Sequence, residues 1–241
     1  MRLEEATVLV VDDELDLREI FSGWLGRKGC KVLTAANGAD ALKLIETEKI
    51  DVLVSDIRMP IMGGVELVRT IYERGLMIPC IIFVSGFGDV EPREMYGLGV
   101  ELLMEKPLSR KDLLHALEDS LMSRDSLWLA PSTEPMSQSL TVEMESLEDA
   151  IETCQFQLGR GGCCFMARHL LAIDKTIDLS IEFAKEARTL RVQGKVRWQS
   201  MDGGHTGVSF GYLDPGCRDW VIAAIGAGSC RSFIPQCRTC S

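Results

Sequence analysis

The sequence predicts an α/β fold followed by a β fold. The first is a doubly wound, five-stranded parallel (βα)5 sheet, and the second a small antiparallel six-stranded β-barrel with a C-terminal helix. Three observations predict this. Short β-branched apolar runs alternate with amphipathic helical stretches up to residue 123, as when parallel strands are covered on both faces. Strict apolar–polar alternation takes over after residue 140, the signature of antiparallel strands with one wet face. Between them, residues 124–139 hold Pro131, Pro135 and several Ser and Thr residues with no sustained period. The expected division is 1–123, a linker at 124–139, a barrel at 140–228 and a cysteine-containing flexible tail at 229–241.

The elements of the first half follow in order. Residues 8–11 are a buried strand ending in Asp12 and Asp13. Residues 14–27 place Leu17, Ile20, Phe21, Trp24 and Leu25 at helical spacing, and Gly29 stops the helix. Residues 31–35 form a strand, Asn37-Gly38 a turn, and residues 39–48 a helix with Ala41, Leu42 and Ile45 inward. The strand at 52–55 ends in Asp56. A helix at 64–74 follows, ended by Gly75, and Pro79 opens the strand that ends in Ser85. Residues 89–98 form a weaker helix, with Pro92 tolerated in its first turn. Residues 102–104 lead to Lys106-Pro107. Ser109 then caps a helix over 110–122, whose Leu113, Leu114, Leu117 and Leu121 make one face. Right-handed crossovers wind these units onto both faces of one sheet.

In open α/β sheets ligands bind beyond the carboxyl ends of the strands. Asp12, Asp13, Asp56, Ser85 and Lys106 all fall there. A lone strand-end Asp is usually a helix cap; four matching strand ends in order are not explained that way. Crowded carboxylates repel, and a hard divalent ion relieves the repulsion. Magnesium takes oxygen ligands and keeps waters, which leaves room for a phosphoryl group. Asp13 would ligate it directly, Asp12 beside it or through water, and Asp56 and the backbone carbonyl of Arg58 would supply further oxygens. Asp56 is the candidate nucleophile toward phosphorus. Lys106 and the Ser85 hydroxyl would stabilise the transferred oxygens.

Val10-Val11-Asp12-Asp13-Glu14, the run from Ser55 through Asp56 to Gly64, Val84-Ser85-Gly86 and Glu105-Lys106-Pro107 resemble the signatures of the bacterial response-regulator receiver domain. The resemblance covers about the first half of the chain. It implies an aspartyl-phosphate at Asp56, donated by a phosphohistidine of a sensor histidine kinase, with magnesium at Asp12, Asp13 and Asp56. It also makes Ser85 the switch hydroxyl and Lys106 the family's lysine. An aromatic residue often stands three positions before that lysine; here it is Leu103, so the readout of phosphorylation is expected to differ. Receivers of this family often pair through their last helices and strand, here near 85–122, which makes a homodimer one expected assembly.

In the second half, residues 140–144, 154–158, 163–166, 177–183, 190–199 and 205–210 read as strands, with a short helix or turn at 146–151. Gly159-Arg160-Gly161-Gly162 reads as a sharp turn needing glycine's backbone freedom. Val196 and Trp198 share a face, and residues 215–225 form a closing helix with Trp220, Val221 and Ala224 inward. Leu127, Trp128 and Leu129 form an apolar cluster in the linker, expected to extend or cover the preceding helix, with a dimer contact as the alternative. The segments at 158–165, 194–198 and 206–210 resemble a PilZ domain, a family that commonly binds cyclic di-GMP through an RxxxR arm and a D/NxSxxG turn. Aligned on Gly162, the motif's Asp or Asn falls on Gln157 and its serine on Gly159, so only Gly162 is kept. No arginine lies between residues 125 and 159, so the arm is absent. The expectation is no cyclic di-GMP binding in the usual mode and output through an unidentified downstream protein. The alternative is a cyclic di-GMP effector with a non-standard site using Arg160, Arg168 and Arg197.

Net charge is −10, and neither half is basic: residues 1–124 carry 15 basic and 22 acidic groups, the rest 11 and 14. That argues against DNA binding, as does the lack of a basic recognition helix. No segment has the length and apolarity of a membrane span, and no signal peptide precedes the first strand. Nine scattered cysteines, with the kinase-coupled reading, fit free thiols in a reducing cytoplasm. Cys237 and Cys240 spell half a zinc site, which Cys230 and His205 would have to complete; a frayed terminus with reactive thiols is the expected state. With His169 and His205 as its only histidines, the second half offers no clustered acid–base set for an independent enzyme.

Overall fold

Strands rich in Val, Ile and Leu on both faces need covering on both sides, and the first part of the chain supplies helices for each. The computed structural model describes residues 1–86, 90–122, 128–131, 133, 135–167, 170–200, 204–227 and 231–236 (for 226 and 227, the backbone alone). Two compact units emerge. One comprises Met1–Glu91 and Val100–Ser123, the other Pro92–Gly99 and Arg124–Ser241.

In the first unit a 3-10 turn (Leu3–Glu5) precedes β1 (Thr7–Val11), α1 (Leu15–Gly26), β2 (Lys31–Ala35), α2 (Gly38–Thr47), β3 (Val52–Asp56), α3 (Gly64–Glu73) and β4 (Cys80–Ser85). The chain then makes α4 (Pro92–Leu98), whose contacts place it in the second unit, and returns for β5 (Leu102–Glu105) and α5 (Arg110–Ser120). The strands are all parallel in the order β2-β1-β3-β4-β5. Val8, Val10, Val52, Val54, Ile82 and Val84 meet Phe21 and Leu25 of α1 and Leu113 and Leu117 of α5 in one core. Their strand neighbours Leu9, Leu53, Ile81 and Phe83 point the other way and are fully buried too. Ser109 caps α5 by accepting the Asp112 amide at 3.1 Å, and Asn37 caps α2 through the Asp40 amide at 2.9 Å. Ile20, one of the apolar residues at helical spacing, is exposed. It stands roughly 100° around the helix from Phe21, outside the Phe21–Leu25 stripe.

In the second unit, β6 (Gln138–Met144), α6 (Leu147–Glu152), β7 (Phe156–Leu158), β8 (Gly162–Met166), β9 (Thr176–Phe183), β10 (Arg188–Gln199), β11 (His205–Leu213) and α7 (Pro215–Ala227) form a curled sheet with a terminal helix. Its order is β6-β9-β10-β11-β8-β7. Four pairings are antiparallel, while β6 runs parallel to β9. The long connection through α6, β7 and β8 permits that parallel crossover. Phe156, Phe165, Ile177, Phe183, Leu190, Val196, Val208 and Val221 form the core.

Three local expectations change here. Trp128 does not cover the helix before it: it is buried in the barrel core, edge-on to Phe210 at 5.4 Å, with its carbonyl accepting the Leu213 amide. Leu129 is exposed, and Leu127 lies outside the described residues. In α7 the inward stripe is Cys217, Val221 and Ile225, spaced by four; Trp220 is half-buried and Ala224 exposed. Finally, none of Gly159, Gly161 and Gly162 has a left-handed φ. These glycines are required by close approach, not by turn geometry.

Candidate functional site

Register brings the candidate residues together. Val11 pairs with Ser55, Asp56 with Val84, and Ser85 with Glu105. Asp12 and Asp56 therefore stand level at the ends of neighbouring strands, with Ser85 one step and Lys106 two steps beyond them on the next two strands, all on the carboxyl edge of the sheet. The Lys106 amide donates to the Ser85 carbonyl at 2.8 Å, which continues the ladder one step beyond β4 and β5.

The turn after β3 is held by backbone contacts. Gly64 N–H donates to Ile57 O at 3.0 Å and Gly38 N–H to Met62 O at 2.9 Å. The β-branched Ile61 takes a left-handed φ of 71° there. Arg58 lies in this turn, exposed.

Asp12 is almost fully buried, Asp56 is buried and Asp13 is exposed. Their carboxylate oxygens lie within 4.8 Å of one another. Lys106 Nζ sits 3.0 Å from Asp12 Oδ2, 3.5 Å from Asp56 Oδ2 and 3.9 Å from Glu14 Oε1. The Glu14 amide donates to Asp12 Oδ1 and the Ile57 amide to Asp56 Oδ1, both at 2.8 Å. Burial pushes the Asp56 carboxyl above its ordinary value; Lys106 and the Ile57 amide offset part of that, and Asp12 adds to it. Burial alone would push the Lys106 ammonium down, but its hydrogen bond to Asp12 and the charges of Asp12 and Asp56 outweigh it and leave the ammonium raised. One ammonium faces three carboxylates, so a divalent cation fits the remaining charge and the all-oxygen donor set. Ser85 is buried at the end of β4. Leu103 is half-buried in β5.

Among the described residues, the candidate nucleotide positions of the second unit make contacts within the chain. Gln157 pairs with Cys164 in the β7–β8 ladder, and Gly159 N–H donates to Gly162 O at 2.8 Å. Arg160 Nη2 donates to Gly99 O at 2.9 Å and its Nε to Arg231 O at 3.3 Å. Arg197 bonds Ser209 Oγ at 3.0 Å and pairs with Asp174 at 3.1 Å. His205 is buried, with Nε2 3.0 Å from Cys154 O. Arg168, His169, Cys230, Cys237 and Cys240 lie outside the described residues.

The tail departs from expectation. Ile234 and Pro235 are buried, and Phe233 and Ser232 are half-buried, so residues 231–236 are not a frayed end. The signal was present as the apolar run Phe233-Ile234-Pro235, overshadowed by the surrounding Gly, Ser and Cys. Sequence reasoning also missed Arg18, whose Nη1 donates to the Asp12 carbonyl at 2.5 Å; an arginine on the first helix carries no distinguishing pattern.

Comparison with known proteins identifies two domains in the chain. Residues 8–118 match the family model of the response regulator receiver domain, and residues 139–225 that of the PilZ domain. The chain is 32% identical over 127 residues to the alkaline phosphatase synthesis transcriptional regulatory protein PhoP of Bacillus subtilis, covering 53% of this chain and 52% of that protein. It is 33% identical over 106 residues to the Regulator of RpoS of Escherichia coli, covering 44% and 31%. The chain thus spans about half or less of the length of these relatives. A response regulator receiver domain protein from Clostridium thermocellum is 28% identical, with 48% of this chain and 94% of that one covered at a TM-score of 0.45. Residues 8–118 are therefore a response regulator receiver domain, and residues 139–225 behind them a PilZ domain.

Proposed function

We propose that this chain is a two-component response regulator. A sensor histidine kinase phosphorylates Asp56, and the PilZ domain at 140–228 passes the signal on by contact with a downstream protein or a second copy. The gathering of Asp12, Asp13, Asp56 and Lys106 at one sheet edge carries this reading. An Asp56 oxygen attacks the phosphorus of a phosphohistidine, the P–N bond breaks, and the imidazole leaves with its electron pair. The Ile57 amide holds Asp56 Oδ1 and so directs Oδ2 toward the donor. Lys106 is placed to exchange its Asp12 and Asp56 contacts for an oxygen of the arriving phosphoryl group, with the Ser85 hydroxyl donating to another. Magnesium, held by Asp12, Asp13, Asp56 and the Arg58 carbonyl, would neutralise charge on those oxygens when bound. Beyond this self-directed transfer and the hydrolysis of the resulting acyl phosphate, in which water takes the phosphoryl group and the Asp56 carboxylate leaves, the chain is not read as an enzyme.

Cyclic di-GMP binding in the usual mode is not part of the proposal. Arg160 and Arg197 are engaged with partners in this chain, and Gln157 and Gly159 stand where the motif has Asp or Asn and a serine. The test is incubation of the full chain with acetyl phosphate and magnesium, read by intact mass. Wild type gains a phosphoryl group, Asp56→Asn does not, and Lys106→Ala labels about a hundred-fold more slowly. Persistent labelling of Asp56→Asn would move the acceptor elsewhere. Calorimetric titration of cyclic di-GMP is expected to give no heat; saturable heat would replace the protein-contact reading with a nucleotide effector.

A further inference from the structure

We propose that the turn Gly159–Gly162 is a built receptor for an extended peptide, and that its resident ligand is this chain's own segment 231–236. The segment acts as a strap that joins the turn to the end of α4. Two successive amides of the turn face it: Arg160 N–H donates to Ser232 O and Gly161 N–H to Phe233 O, both at 3.0 Å. On its other side the strap meets α4. Phe233 N–H donates to Tyr96 O at 3.0 Å, Ser232 Oγ to Gly97 O at 2.9 Å, and Gln236 Nε2 to Arg93 O at 3.0 Å. Carbonyls in the last turn of a helix lack intrahelical donors, and α4 is only seven residues long. The Gly99 amide already donates to Tyr96 O at 3.1 Å, and the strap adds from far along the chain further donors to the Tyr96 and Gly97 carbonyls.

The fit is one of shape as well as hydrogen bonding. A Cβ on Gly161 would lie 2.0 Å from the Phe233 ring, and on Gly159 2.4 Å from Phe233 O. The three nearest atoms to either added carbon all belong to the strap. Since neither glycine has a left-handed φ, what their missing side chains provide is room for this segment. Ile234 is fully buried and Pro235 is buried. The Arg160 guanidinium lies over the Phe233 ring at 5.9 Å, and the Tyr96 ring is 6.4 Å from it. Among the described residues, the strap adds no strand to the sheet, and Ile234, though fully buried against Gly162, stands outside the barrel's hydrophobic core cluster. The barrel's core closes without it, which makes the strap a ligand of the unit and not one of its structural members. Any outside molecule that addresses the two turn amides has to displace it first.

The test is hydrogen exchange on the full chain with two variants that attack the contact from opposite sides. Gly161→Ala places a methyl group where the Phe233 ring lies; Phe233→Ala removes the ring and leaves the turn intact. Both are expected to speed exchange at least ten-fold in peptides spanning 92–99 and 159–162, with β9, β10 and β11 unchanged. Wild-type protection at 92–99 and 159–162 in both variants would show that the strap is not what covers them. Loss of protection across the barrel strands as well would show that the segment is part of the barrel's fold, and would equally overturn the proposal.

Discussion

Gly64 has no room for a side chain. A Cβ there would lie 2.4 Å from the Asp56 carbonyl, 3.0 Å from Ser55 Oγ and 3.1 Å from the Phe83 ring. The nearest obstacle is backbone, which cannot rotate away. Gly64→Ala is expected to lower stability by about 2 kcal/mol, measured as a shift in the urea midpoint. The motif around Asp56 made Gly64 legible as a member of a pattern, but not this reason for it, which depends on β3 and α3 crossing at close range. Lys106 shows the same limit. Its type and place at a strand end were readable, whereas its nearest partner, Asp12 and not Asp56, follows from where β1 lies beside β3.

At the scale of elements, helical periodicity located α1 and α7 but blurred which residues face inward. In α7 the core takes Cys217, Val221 and Ile225, so an element-level prediction attaches to the cysteine. Burial raises the Cys217 thiol above its ordinary value; the Arg191 amide on its sulfur opposes this and Asp214 adds to it. A raised folded-state value means the folded chain holds this proton more tightly than the unfolded one. The thiol's contribution is complete below its unfolded value and shrinks as pH climbs past about 8.5. The urea midpoint should therefore fall above that pH, and fall less in Cys217→Ala. In native protein at pH 8, alkylation of Cys217 should be at least about a hundred-fold slower than in urea, read by peptide mass. If Cys217 reacts equally fast in both states, α7 is not seated as described.

For the whole molecule, the cation site and the two cores make different demands on the sequence. Three carboxylates lie within 4.8 Å of one another, with one ammonium, Lys106, against two of them, so their mutual repulsion costs the first unit stability that a divalent cation would restore. Magnesium at a hundred times its Kd should stabilise that unit by about 2.7 kcal/mol. The measurement is slower hydrogen exchange of the β1 and β3 amides with magnesium than with chelator, a gain that Asp13→Asn should remove. Among the described residues no helix is long and apolar enough to cross a membrane. The sequence by itself determined the parallel sheet, the barrel strands and the identity of the carboxyl-edge residues. Each of these is written in local spacing: period two, period 3.6, or a polar residue at the end of an apolar run. Tertiary structure alone decided that Trp128 closes the barrel core, that β6 runs parallel to β9, and that residues 231–236 lie between a glycine turn and α4. Those contacts join segments tens of residues apart through close approach and borrowed hydrogen bonds, and a linear sequence carries no period that records them.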